Sequence, residues 1–204
     1  MSLLYLPEWM ADCSPPKRVK SIAFDEGETL MQNTKWRHDF ADGNGPVREQ
    51  FQGVRVPIRW MIQRDIPEVF KIEKQGFPFP WTEKDFIRCL RQRNCINQVA
   101  EYQGRVVGFV IYALFKARIE LFNCAVAADY RRRGVGSQMV ARLIAKLSWP
   151  HRTRIILEVR ETNLAAQLFF RRHGFRCVDI LRCQHDETTE DTYVLQFATG
   201  REGG

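Results

Sequence analysis

The run Arg131-Arg132-Arg133-Gly134-Val135-Gly136 constrains this chain more than any other stretch, because of what flanks it. Before it, Ile119-Glu120-Leu121-Phe122-Asn123-Cys124-Ala125-Val126 reads as a strand. After it, Val135, Met139, Val140, Leu143, Ile144 and Leu147 recur at helical spacing, so 137–147 reads as an amphipathic helix that Pro150 ends. A strand that turns through glycine into a helix leaves the first helical N–H groups pointing outward, and the aligned peptide dipoles favour an anion there. Gly134 and Gly136 let a phosphate approach the backbone, and the arginines add permanently charged donors. The turn alone is a weak signal, since a surface turn with solvated arginines has the same sequence. Its spacing is neither the dinucleotide G-x-G-x-x-G nor the P-loop G-x-x-x-x-G-K-[ST].

The rest of the chain alternates strand and helix patterns from Ile58 onward. Residues 58–62 read as a strand, and Asp65-Ile66-Pro67-Glu68 as a capping box that opens a helix with Val69 and Ile72 inward. Thr82 opens another helix, with Phe86, Ile87 and Leu90 on one face. Residues 98–102 and 106–115 read as a hairpin closed at Gly104. Arg154–Arg160 is a strand. Residues 163–173 form a helix, with Asn163 near its N-cap, Gly174 at C′ and Phe175 as the apolar C″ contact. Residues 175–181 and 192–197 read as the last two strands. The fold class is α/β with a mixed sheet. Residues 1–53 form an N-terminal extension, 54–199 the domain and 200–204 a tail. The extension carries the breaker clusters Ser14-Pro15-Pro16 and Asp42-Gly43-Asn44-Gly45-Pro46, a possible short strand over 18–24, and Trp9, Trp36 and Phe40, which are too apolar for a wholly solvated tail.

Composition narrows the class. With 45% hydrophobic and 27% charged residues, the 204-residue chain has a soluble globular balance. Its net charge of +7 favours anionic partners but does not by itself imply nucleic-acid binding, because the basic residues look scattered, with no one-sided arginine stripe on a helix. Cys13, Cys89, Cys95, Cys124, Cys177 and Cys183 show no C-x-x-C spacing and no clustering with histidine, so no metal site is expected. No basic leader or long apolar run appears, which makes a reducing cytoplasm the expected compartment and a membrane partner not expected.

One carboxylate stands out. Glu158 interrupts Ile155-Ile156-Leu157-Glu158-Val159, and strand alternation sets it with Ile156 and Arg160 on the face opposite Ile155, Leu157 and Val159. A charge there is an ion-paired or solvated sheet-face residue, or a functional one.

These motifs resemble the GNAT N-acetyltransferase superfamily. Asn123-Cys124-Ala125-Val126 followed by Arg131-Arg132-Arg133-Gly134-Val135-Gly136 is similar to its acetyl-CoA motif, [QR]-x-x-G-x-[GA]. Leu157-Glu158-Val159-Arg160, the stretch from Asn163 to Ala166 and Arg172-His173-Gly174-Phe175 resemble the segments that follow it. Phe79-Pro80-Trp81-Thr82-Glu83-Lys84-Asp85-Phe86 is similar to a segment of the bacterial ribosomal-protein-alanine N-acetyltransferases. The resemblance spans about residues 58–197. It implies a GNAT fold with a mixed, mostly antiparallel sheet flanked by helices. It implies acetyl transfer from acetyl-CoA to a primary amine, in that branch the N-terminal α-amine of a ribosomal protein, with no metal. Lysine, small amines, or acetyl-CoA binding without turnover are the alternatives.

By the same resemblance the cofactor lies on Cys124, Ala125, Val126, Arg131, Arg132, Arg133, Gly134, Val135, Gly136, Ser137 and Asn163, and Glu158 is the general base. Asn163 has helix capping as its other explanation. The Cys124 thiol reads as a small core residue, not a nucleophile. Phe79 and Trp81 either line the amine side or pack a loop onto the domain. Phe170 departs from the pattern, because the branch has there a tyrosine that protonates the leaving thiolate. Cys177, Cys183, His185 and Tyr193 are the possible substitutes. A basic protein that acts on a basic peptide needs a locally acidic channel.

Overall fold

Gln103 and Gly104 both take positive φ, 50° and 75°, the backbone twist that a two-residue hairpin turn requires. Strand β2 (Cys95–Tyr102) therefore folds back antiparallel on β3 (Arg105–Leu114), with Tyr102 opposite Arg105. The computed structural model describes residues 53–148, 150–182 and 190–199. The features expected in 1–52, with Cys183 and His185, lie outside the described residues.

Among the described residues, seven strands form one sheet in the order β1-β2-β3-β4-β5-β7-β6. The others are β1 (Ile58–Trp60), β4 (Arg118–Val126), β5 (Arg154–Arg160), β6 (Arg176–Leu181) and β7 (Thr192–Ala198). All neighbours run antiparallel except β4 and β5. A parallel pair needs a crossover, and α3 (Val135–Ile144) supplies it. Val135, Met139, Val140 and Leu143 of α3, with Ala166 and Phe170 of α4 (Leu164–Arg172), pack on one face, against Ile155, Leu157 and Val159. Ile66, Val69 and Ile72 of α1 (Ile66–Gly76), with Phe86 and Cys89 of α2 (Glu83–Arg91), cover the other.

Helix ends show where local signals held and where they did not. Thr82 caps α2, with its N–H and hydroxyl both donating to Asp85 Oδ2 at 2.9 and 2.7 Å. At α4, Asn163 Oδ1 accepts from Ala166 N at 3.1 Å. At the other end of α4, Gly174 at φ 84° donates to Arg171 O, and Phe175 N donates to Phe170 O. This is a Schellman motif with its apolar contact, the Phe170 and Phe175 rings lying 5.2 Å apart.

The box expected at Asp65–Glu68 is absent. Asp65 instead accepts from Ile62 N and from both Nη atoms of Arg59, at 2.7–2.9 Å, and Glu68 accepts from Val106 N at 2.8 Å. The Asp65 contact with Ile62 also starts a 3₁₀ turn, so β1 stops at Trp60 and not at 62. Helix α3 stops at Ile144, because Lys146 and Leu147 bond three residues back instead of four. Pro150 lies beyond that turn and does not end the helix. On α2 the inward face is Phe86 and Cys89, with Ile87 and Leu90 only half-buried. Its outer side presents Lys84, Arg88 and Arg91 to one shallow depression, so the basic residues are less scattered than the sequence implies.

Candidate active site at a split between two strands

The parallel pairing of β4 and β5 covers only Arg118–Leu121 against Arg154–Leu157. It fails where β4 bulges. Ile111 faces Asn123 while Tyr112 faces Leu121, leaving Phe122 as the extra residue. A bulge bends its strand and increases twist, which carries 122–126 away from β5. Beyond it, Ala127 N donates to Val107 O, so alternation sends the N–H and C=O of Ala125 toward β3 and those of Cys124 and Val126 toward the gap. Of the three expected backbone positions, two face the opening and Ala125 does not.

Glu158 is the first β5 residue past the last paired rung, Leu121 with Leu157. Its neighbours Leu157 and Val159 enter the α3/α4 core, so its side chain lies on the α1/α2 face. Burial, with the charge of Glu120 as a second cause, pushes its carboxyl up to about 7. Such a group is part neutral and part ionised near neutrality, as a proton acceptor requires.

The basic turn leads directly into α3. Gly134 caps the helix at φ 80°, and among the described residues no side chain bonds to the first turn. The N–H groups of Val135, Gly136 and Ser137 therefore lack helical partners. Arg131, Arg132 and Arg133 are exposed. Arg131 Nε donates to Val126 O at 3.1 Å, which ties the basic turn to the end of β4. Arg133 sits over the Tyr130 ring at 5.5 Å. Gly136 has a packing reason as well, since a Cβ there would meet the Phe169 ring of α4 at 3.1 Å. Its smallness lets α3 and α4 approach each other. Gln138 was not expected at all. Its amide donates to Val54 O at 2.8 Å and accepts from Val56 N at 3.1 Å, and Val54 N donates to Arg133 O. The segment before β1 is thus laced along the turn.

Other expected residues divide. Asn163 Oδ1 serves the helix cap. Cys124 is buried, and burial raises its thiol to about 12, so it packs as a small apolar residue and is not a nucleophile. Phe170 is 1% exposed between Phe169 and Phe175. Tyr193 lies opposite Val159 and packs on the α3/α4 core, away from the Glu158 face. Cys177 is on the edge strand β6, two strands from β5. Neither is brought to Glu158.

On the α1/α2 face, Trp81 is buried and its backbone N–H donates to Glu73 Oε1 at 3.0 Å, which also accepts from Asn123 Nδ2 at 3.2 Å. Trp81 therefore packs the loop. Phe79 is 42% exposed and lies under the Arg160 guanidinium at 4.7 Å, beside the opening. Arg160 also reaches Glu190, just before β7, at 3.5 Å. Sequence reasoning passed over Glu73, Arg160 and Glu120. Glu120 carried the very signal that singled out Glu158, a carboxylate inside an apolar strand.

Comparison with known proteins adds the following. Residues 66–175, over half of the chain, match the Acetyltransferase (GNAT) family. The [ribosomal protein bS18]-alanine N-acetyltransferase of Escherichia coli (strain K12) is 32% identical over 133 residues, 64% of this chain and 89% of that protein. The crystal structure of the ribosomal-protein-S18-alanine N-acetyltransferase from Escherichia coli superposes with a TM-score of 0.64 at 27% identity, over 74% of this chain and 99% of that one. Arabidopsis thaliana NAA60 in complex with acetyl-CoA shares the fold, with a TM-score of 0.63 at 17% identity over 71% and 98% of the two chains.

Proposed function

Because this chain belongs to the GNAT acetyltransferase family, we propose that it moves an acetyl group from acetyl-CoA to the N-terminal α-amine of a protein, with 54–199 as the catalytic domain. The observation that carries the reading is the split itself. It joins a half-buried, proton-accepting Glu158 at one end to the start of α3, whose cap residue makes no side-chain bond, at the other. The pyrophosphate lies over Arg132 to Ser137, held by helix N–H groups and by the exposed arginines. Pantetheine enters the gap as an added strand and bonds the outward backbone groups of Cys124 and Val126. The thioester then reaches the Glu158 end, where backbone N–H groups of the split strand steady the oxyanion. Asn163 borders this path while it caps α4.

The amine class follows from matching acid and base. An α-amine has a pKa near 8, so a base at about 7 is well placed to take its proton. A lysine ε-amine near 10.4 demands much more. Phe170 cannot protonate the thiolate. The thiolate leaves with its own pKa, about 8.5 if it behaves like cysteine, and takes its proton afterwards. The names of the Escherichia coli relatives support a ribosomal protein as acceptor. The buried Phe170 favours one rival, an acetyl-CoA-binding module without turnover. Release of CoA thiol on N-terminal, lysine and small-amine substrates decides between them. N-terminal turnover is expected, and its absence with tight acetyl-CoA binding would favour the rival. Mass spectrometry of N-terminal acetylation in cells with and without the protein identifies the acceptor.

A further inference from the structure

A second carboxylate stands on the Glu158 face. Glu120 faces Ile156 in the last rungs of the parallel pair, so it shares a sheet face with Ile156 and Glu158 and is the diagonal neighbour of Glu158. Its side chain is 12% exposed, and Arg118 Nε donates to its Oε1. Burial raises the Glu120 carboxyl, and Arg118 opposes that. Two other charged groups on this face have partners of their own. Arg160 of β5 is tied to Phe79 and Glu190, and Glu73 of α1 to Trp81 and Asn123. From β7, Thr192, Val194 and Gln196 lie opposite Arg160, Glu158 and Ile156, and none of the three titrates. Helix α2 contributes Phe86 and the thiol of Cys89 to this side of the sheet, and the thiol stays protonated because its bond to Cys95 and burial raise it.

We propose that Glu120 is a positioning residue which, with Glu158, seats the incoming ammonium group at the mouth of the split. The inference rests on the acetyl-transfer reading. The two carboxylates make the locally acidic spot that a basic protein needs in order to hold a cationic chain end. The ammonium gives one proton to the Glu158 carboxylate, which later passes it to water. The neutral amine nitrogen attacks the thioester carbon, the C–N bond forms and the C–S bond breaks. The second nitrogen proton ends on the departing thiolate, so amide and CoA thiol leave together with one released proton.

Burial is the larger cause of the raised Glu158 carboxyl and the Glu120 charge the second, and the test uses the second. Steady-state kinetics of the full chain on an N-terminal alanine peptide are followed from about pH 5.5 to about pH 9 for native, Glu120→Gln and Arg118→Gln proteins. In Glu120→Gln the acid limb of kcat/KM should move down by about half a pH unit or more. The peptide KM should rise roughly tenfold while the acetyl-CoA KM stays within about twofold. In Arg118→Gln, which keeps Glu120 and removes its cation, the limb should move up. The opposite signs separate this role from a loss of folding. Native turnover with both limbs and the peptide KM unmoved overturns the seat. No turnover by the native chain on any amine overturns the acetyl-transfer reading itself and takes the seat with it.

Discussion

If Glu158 is held as a strained, functional carboxylate, removing its charge should strengthen the fold while it destroys the reaction. Glu158→Gln is the perturbation, since it keeps size and loses both charge and basicity. Burial and Glu120 raise the folded-state carboxyl from 4.5 to about 7. The native state therefore binds more protons than the unfolded chain between those values, and stability falls as pH rises through that window. Below 4.5 the carboxyl is neutral in both states and contributes nothing. Above 7 the full cost is present. A difference of about 2.5 pH units at about 1.4 kcal/mol each comes to a ceiling of about 3.5 kcal/mol. For a domain of this size that is a ceiling of about 7–14 °C in Tm. Thermal unfolding of both proteins by circular dichroism, at about pH 5 and about pH 8, reads it directly. The variant should gain on the native protein as pH rises, while its kcat/KM at neutral pH falls by on the order of 10²-fold with acetyl-CoA affinity little changed. A Tm difference that does not change with pH would refute the buried-charge argument. Equal activity would remove Glu158 from the chemistry.

Gly134→Asp adds a negative charge at the phosphate turn, in a left-handed conformation that aspartate tolerates and at a helix start that it suits. Calorimetry should show acetyl-CoA affinity down by about tenfold or more with the fold retained, and unchanged affinity would mean that the cofactor lies elsewhere. Gly136→Ala presses a methyl on the Phe169 ring and should cost about 1–3 kcal/mol by urea unfolding, and a neutral result would return that glycine to the phosphate. Phe170→Tyr puts a hydroxyl among rings. It should lower Tm and either raise kcat or leave it unchanged, and no rise in kcat would mean that thiolate departure does not limit turnover.

What the sequence determined by itself is the local part of this protein. The hairpin at Gly104, the Thr82 and Asn163 caps, and the Gly174-Phe175 stop depend on contacts within a few residues, so the residue types spell them out. The strand bounds of Arg154–Arg160 and the outward turn of Glu158 follow from alternation alone. Tertiary structure decided everything that depends on distant partners. A bulge set by pairing with β3 opens the split and leaves Ala125 turned away from it. Gly136 answers to a ring on another helix, Asp65 to a guanidinium on β1, and Gln138 to the segment before β1. Glu120 and Glu158 are 38 positions apart in the chain, and only the register of a four-residue parallel pair makes them neighbours. Local propensity acts over a turn of helix or a step of strand, while strand register is chosen by the packing of the whole sheet.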